Sequence, residues 1–335
     1  MRKIILSGIV LILLSFNIPA HAQEAADGPD MFKLLDDIAA YMATARFVPG
    51  TTRQASVYVQ DIKRHTEITY NPDVKYSGAS VTKIGVLAAF QYYAQGHQPG
   101  GVPTREQAVL IAQMMLCSSN EATNKLIQTM GDKDAQKGLD YISYFSGMYL
   151  NRLYSGDGAP LVTDGPILPK DADADPNNFL DIESFGRALA KATLWATDPP
   201  LEVNFPDEVV INRKLIHVMA ANKTGALLEG GVPEGTFVAH KQGWVQDTHG
   251  DAGYFITPGG DYVIVIMLHQ RKFLQSTNSF PAIAEVSRLV YNAFNPTAPL
   301  KAIRSKPIPK ECTIPPSVVD ALMTADAPPL PVAIK

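Results

Sequence analysis

The chain has 335 residues, with 29 Lys and Arg against 33 Asp and Glu, for a formal net charge of −4. The charges are scattered, so composition offers neither a basic face for nucleic acid nor a polybasic membrane anchor. Two cysteines, Cys117 and Cys312, are too few for a disulfide scaffold.

Residues 1–22, "MRKIILSGIVLILLSFNIPAHA", open with Arg2 and Lys3, run apolar from Ile4 to Phe16 and end Ala20-His21-Ala22. This pattern predicts a cleaved signal peptide, its apolar core too short for a comfortable span. No cysteine follows the expected cut, which argues against a lipid anchor. A periplasmic or secreted protein of about 310 residues is the expectation, enough for one large domain or two intertwined ones. No membrane insertion is expected after cleavage.

"MFKLLDDIAAYMATA" carries Leu34, Leu35, Ile38, Tyr41 and Met42 on a helical stripe. "ASVYVQDI" and "TEITYN" read as short strands around a polar turn at Lys63-Arg64-His65. From Ser80 the pattern becomes helical, through Ile84, Leu87, Ala88 and Phe90, until "GHQPGGVP". A helical middle follows from Thr104 to about Ala196, broken by the polar "SGDGAPLVTDGPILPKDADADPNN". Cys117 could pair in an oxidising compartment, but "MMLCSSN" reads more simply as placing a small buried hydrophobe.

Strands then return in "GTFVAHKQGW", "GDAGYFITP" and "DYVIVIMLH", the last two joined by the hairpin signal Pro258-Gly259-Gly260. A final helix, "FPAIAEVSRLVYNAF", is followed beyond Pro296 by a proline-rich, weakly patterned, extended tail. The order predicts an α+β fold: a sheet part at about 31–80 and 210–296, with a helical part at about 81–209 inserted in it. A catalytic domain over 23–298 and a tail over 299–335 complete the expected division, with the site in the cleft between the two parts.

Three short segments could carry chemistry. In "GASVTK", Ser80 and Lys83 are three apart at a loop-to-helix transition, which stacks an amine on a hydroxyl. A serine needs a base to become a nucleophile, and a lysine can serve if burial and neighbouring positive charge hold its pKa down. The helix N-terminus also offers N–H groups to developing negative charge. Alone, this spacing is common and also fits an N-cap serine beside a solvated lysine. In "CSSNEATNKLI", Ser118 can relay a proton to a leaving nitrogen, and Asn120 can hold both a substrate carbonyl and the lysine. In "VAHKQGWV", Lys241 can bind a carboxylate, and Gly243 allows an edge strand to approach a ligand backbone.

In this order, Ser80-Val81-Thr82-Lys83, Ser118-Ser119-Asn120 and Lys241-Gln242-Gly243 resemble the three motifs of the serine β-lactamase and penicillin-binding protein superfamily, closest to the class A β-lactamases. The resemblance extends to the flanks and covers most of Met31 to Asn295. It implies an antiparallel sheet flanked by helices with an inserted all-helical subdomain. It also implies attack by Ser80, proton acceptance by Lys83 and proton transfer through Ser118. Asn120 then positions the substrate amide, and an oxyanion hole forms from the backbone N–H groups of Ser80 and Trp244. Lys241 binds the substrate carboxylate. The implied partner is a small β-lactam or peptidoglycan-like molecule, with no cofactor, no nucleic acid and a monomeric chain.

A second tripeptide, Lys223-Thr224-Gly225, is the fuller match to the family's Lys-Thr/Ser-Gly string. It follows the helix-like "NRKLIHVMAA", where a lysine would cap carbonyls and a glycine would terminate the helix. Lys241 lies in an alternating strand pattern before a hairpin, so it is taken as the functional lysine.

Three departures from the family pattern stand out. Gln242 replaces a hydroxyl that helps bind the carboxylate. The interval from Ser80 to Ser118 is short for a class A enzyme, so a loop lining the cleft is missing. The Glu-x-x-Leu-Asn pattern that activates the deacylating water is absent from "NRLYSGDGAPLV". Asp157, thirty-seven residues after Asn120, falls near the expected place but also reads as an Asp-Gly turn acid.

Acylation is thus better supported than deacylation. The expectation is a class A-like β-lactamase. The alternatives are a D,D-peptidase or penicillin-binding-type amidase or esterase, and a non-catalytic binder of wall fragments. A serine-histidine-aspartate triad through His249 and Asp251 is disfavoured because no glycine-rich nucleophile elbow is present. The dispersed histidines show no metal-ligand spacing.

Overall fold

The computed structural model describes residues 28–146, 149–150, 153–154, 178–198, 206–304, 306–309 and 311–332. The expected signal peptide and Asp157 lie outside them.

The first half of the sheet comes early in the chain. Helix α1 (Met31–Thr44) is capped by Asp30, whose carboxylate accepts from Lys33 N, and buries Leu34, Ile38 and Met42. Strands β1 (Arg53–Asp61) and β2 (Glu67–Tyr70) form a hairpin. Its polar turn closes where Asp61 accepts from Arg64 N at 3.0 Å. A short β3 (Lys75–Ser77) leads to the turn that carries Ser80.

The helical part follows as α2 (Lys83–His97), α3 (Arg105–Leu116), α4 (Asn120–Met130) and α5 (Ala135–Ser146). Threonine 104 and Gln107 close a capping box on α3. Two short strands, β4 (Tyr149–Leu150) and β5 (Asn178–Asp181), pair with β3 in the order β3-β5-β4. Helices α6 (Ile182–Thr197) and α7 (Pro206–Ala220) lead back to the sheet.

Strands β6 (Phe237–Trp244), β7 (Thr248–Ile256) and β8 (Tyr262–Gln270) complete an antiparallel sheet of order β2-β1-β8-β7-β6. The Pro258-Gly259-Gly260 turn forms the expected hairpin. A Cβ on Gly259 would sit 1.7 Å from Phe294 O, so only glycine fits. Helix α8 (Ser276–Phe294) crosses behind the sheet.

The sheet separates two cores, which explains why β7 and β8 are buried along nearly their whole length and why β8 is apolar from Tyr262 to Leu268. Val263, Val265 and Met267 join Tyr58 and the buried residues of α2 and α6 on one side. Ile264, Ile266 and Leu268 join Val57, Val59 and the residues of α1 and α8 on the other. β6 is therefore an edge strand, and its free edge faces the helical part.

The tail differs from the expected extended segment. It contains α9 (Pro316–Leu322), and Val319, Leu322 and Leu330 are buried in the same core as α2 and α3. Its buried helix spans only seven residues, too short for a periodic pattern to announce it. Cys117 likewise is not a free buried thiol: it forms a disulfide with Cys312, 195 residues away, with the two Cα atoms 5.3 Å apart. Among the described residues no helix is long and apolar enough to cross a membrane.

Candidate active site

Ser80 lies in a tight turn immediately before α2. Val81 N donates to Gly78 O (3.1 Å), Lys83 N to Ser80 O (3.3 Å), and the Thr82 hydroxyl to Ala79 O (2.8 Å). The turn places Ser80 partly exposed at the helix N-terminus, where backbone N–H groups are unpaired by the helix itself. Lys83, the first helical residue, is fully buried.

The Lys83 amine donates to Ser118 O at 2.5 Å and to Asn120 Oδ1 at 2.7 Å, and lies 3.5 Å from Ser118 Oγ. Its two main partners thus come from the junction of α3 and α4. At that junction Ser118 has φ +58, a left-handed conformation that costs a non-glycine residue on the order of 1 kcal/mol. Ser119 N donates to Gln113 O (3.1 Å), and the Ser119 hydroxyl caps α4 by accepting from Ala122 N (3.2 Å). The neighbours hold the strained residue in place.

The third component arrives on β6. Lys241, fully buried, donates to Ser118 Oγ at 3.0 Å and to Gln242 O at 2.9 Å. Burial pushes its pKa down to about 8, opposed by the charge of Asp251. The Ser118 hydroxyl therefore faces two lysines at once. A Cβ on Gly243 would lie 2.5 Å from Ser80 N and 2.7 Å from Val81 N, so the strand backbone passes directly against the nucleophile turn. No other residue permits that approach.

The free edge of β6 fixes one more direction. The carbonyls of Val238, His240 and Gln242 accept from Lys223, Asn222 and Lys241, while Val245 N pairs with Thr248 O of β7. Backbone groups alternate sides along a strand, so Trp244 N–H points to the same free edge, toward Ser80. Ser80 N lies beside the same strand, at Gly243.

Other expected residues fall differently. The Gln242 carboxamide oxygen accepts from Asn222 Nδ2 at 2.5 Å, in a buried pair on the strand face opposite Lys241. Trp244, 46 % exposed, packs its ring 5.4 Å from that of Phe280 at the rim. In the Lys-Thr-Gly decoy, Lys223 reaches Val238 O of β6 at 3.3 Å rather than the carbonyls of its own helix. Gly225 (φ +65) sits five residues past the end of α7 and so does not terminate it. His249 and Asp251 do not combine in a triad. His249 Nδ1 meets Ser279 Oγ at 2.5 Å, whereas Asp251 holds His240 Nδ1 at 2.9 Å. Burial lowers the His249 pKa to about 4.

Tyr154 is the neighbour that sequence reasoning passed over. Its ring centroid lies 5.2 Å from Lys83 Nζ, and its hydroxyl meets Thr82 Oγ1 at 2.6 Å. Asn124 clamps its backbone, donating to Tyr154 O (2.8 Å) and accepting from Tyr154 N (2.9 Å). Burial pushes the phenol pKa well above its ordinary value. The only hint in the sequence is Asn124 itself, one helical turn beyond Asn120 and on the same face.

Comparison with known proteins agrees with this architecture. Residues 211–294 match the model of the Beta-lactamase enzyme family. A β-lactamase of Bacillus licheniformis is 23% identical over 293 residues, covering 83% of this chain and 90% of that protein. Among solved structures, PBP-A superposes with TM-score 0.56 at 20% identity, over 79% of this chain and 96% of its own. A class A β-lactamase from Bacteroides cellulosilyticus gives TM-score 0.57 at 18% identity, over 81% and 100% of the two chains. A β-lactamase from Streptosporangium roseum gives 0.58 at 17% identity, over 79% and 99%.

At these identities the structural likeness establishes the fold. The resemblance to the serine β-lactamase and penicillin-binding protein superfamily holds in sequence and in fold, and together they support a hydrolase of that type.

Proposed function

We propose that this protein is an exported serine hydrolase that opens the amide of a β-lactam through an acyl-Ser80 intermediate. The carrying observation is the convergence on Ser118: one hydroxyl within 3.5 Å of two buried lysines, beside a strand that touches the Ser80 backbone. Lys83 takes the Ser80 proton, directly or through water, as Oγ attacks the carbonyl carbon. Ser80 N and Trp244 N stabilise the oxyanion; such donors are typically worth about 3 kcal/mol each. Ser118 delivers a proton to the leaving nitrogen, and Lys241 supplies the positive charge that holds the substrate carboxylate. Asn120 orients the substrate amide while fixing Lys83. Gln242 contributes through the β6 edge that it and Asn222 stiffen. The Cys117–Cys312 disulfide supports export to an oxidising compartment.

A second reading, a penicillin-binding-type amidase with slow deacylation, is favoured by Tyr154. The Tyr154 ring lies 5.2 Å from Lys83 Nζ, and its raised phenol pKa makes it no base at neutral pH. Asp157, outside the described residues, is the candidate the sequence offers for activating water.

The two readings separate in one experiment. The mature protein and its Ser80→Ala variant are mixed with a chromogenic cephalosporin, following colour and intact mass together. Catalytic colour change that is lost in the variant supports the β-lactamase. A lasting one-to-one adduct supports the slow acylator. Neither signal rejects both.

A further inference from the structure

The C-terminal segment runs from the sheet part to the helical part and is fastened at both ends. On the sheet side Arg304 N donates to Gly230 O at 2.8 Å, and its guanidinium donates to the carbonyls of Val232 (2.7 Å) and Glu229. On the helical side Cys312 is bonded to Cys117, and α9 buries Val319 and Leu322. Lys214 then donates to Thr324 O at 2.5 Å, and His217 Nε2 lies 2.9 Å from Pro328 O.

The attachment point matters because Cys117 is the residue before Ser118. With φ at +58, Ser118 can relax only by rotating its backbone toward the ordinary region, and that rotation would carry both its carbonyl and its hydroxyl off the lysines. Ser119 is held from the far side by α4. On the near side Cys117 N donates to Gln113 O at 3.1 Å, and the covalent link to the tail fixes the remaining freedom of Cys117.

We propose that the C-terminal tail is a positioning tether of the active site, acting through the Cys117–Cys312 disulfide to keep the Ser118 hydroxyl between Lys83 and Lys241. The tether's role in the chemistry rests on the reading of Ser118 as the proton carrier. The tail itself touches no reacting atom. Its effect falls on the rate of acylation and not on substrate binding.

The test compares the full-length disulfide-bonded protein with its Cys312→Ser variant, well below the melting temperature of either. One readout is Ser80 acylation by benzylpenicillin, resolved into a limiting rate and a saturation constant. The other is amide hydrogen exchange in peptides spanning residues 113–123. Loss of the link should lower the limiting rate about tenfold or more, leave the saturation constant nearly unchanged, and speed exchange at residues 117–119. If Cys312→Ser does not fold, reduction of the folded parent gives the same comparison. A dithiol supplies two electrons and two protons, yields two cysteine thiols and leaves as its own disulfide; reoxidation by a small-molecule disulfide, itself reduced to two thiols, should restore the rate. A lower melting temperature with unchanged acylation and unchanged exchange overturns the proposal. So does faster exchange with an unchanged limiting rate. If the disulfide-bonded parent forms no adduct at all, the hydrolase reading fails on its own, and the exchange data alone decide whether the tail holds Ser118.

Discussion

The Lys241 ammonium and the Ser118 hydroxyl are 3.0 Å apart, joined across 123 residues of chain. The contact ties the edge strand of the sheet to the junction of two helices, and the proposed reaction depends on it. Lysine 241 has no exposed surface, so its charge acts on Ser118, on its own strand, on Asp251 and on whatever enters the cleft.

Replacing Lys241 with alanine should therefore lower kcat/KM for a carboxylate-bearing β-lactam by on the order of a hundredfold, the usual scale for deleting a buried charged partner. Lys223→Ala should change it less than about threefold, because it gives up one hydrogen bond, at 3.3 Å, to Val238 O. Steady-state kinetics of the two variants decide between the lysines. Equal losses would return the decoy to contention.

The lowered pKa of Lys241 makes two trends run in opposite directions. Its ordinary value is 10.5 and its folded value about 8, so between these the unfolded chain holds the proton more firmly. This group then makes stability rise with pH across that window. Carboxylate capture weakens over the same range, because the cation is lost as pH passes through about 8. Urea midpoints and kcat/KM measured from pH 7 to 10 should diverge, and Lys241→Met should abolish both effects attributable to this side chain.

Gly243→Ala should separate β6 from the Ser80 turn. The new methyl would start 2.5 Å from Ser80 N, a distance real Cβ atoms do not tolerate, and both contacts are backbone atoms that cannot swing aside. A displacement of about 1 Å is enough to cost about a hundredfold in acylation. Adduct formation followed by mass, together with a denaturation curve, distinguishes a displaced strand from an unfolded protein.

Tyr154 carries two separable contributions. Tyr154→Phe loses the 2.6 Å contact with Thr82 and should cost about 1 kcal/mol of stability while leaving acylation close to the parent. Tyr154→Ala also removes the ring 5.2 Å from Lys83, so acylation itself should slow. Similar acylation by the parent and both variants would show that the ring does not help hold the Lys83 amine.

Much of this arrangement is legible in the sequence because it rests on local patterns. Alternation around Lys241 marks a strand, the hairpin signal follows it, and Ser80 to Lys83 is a helix-start spacing. Those cues place Lys241, and not the fuller tripeptide at Lys223, on the edge that meets Ser118. What escapes is held by contacts between distant segments. Cys117 and Cys312 are 195 residues apart, and nothing in either flank names the other. Tyr154 is brought to Lys83 by the side chain of Asn124, a relation that no periodicity expresses. The tail buries Val319 and Leu322 on a helix of only seven residues, and Leu330 lies apart among prolines, so the stripe is too short to read.

The most direct check on the central claim is peptide mapping after exposure to benzylpenicillin under quenched conditions. An acyl adduct confined to the tryptic peptide from Tyr76 to Lys83, and lost in Ser80→Ala, is the predicted result. An adduct on another peptide, or none while the drug is still consumed, would contradict it.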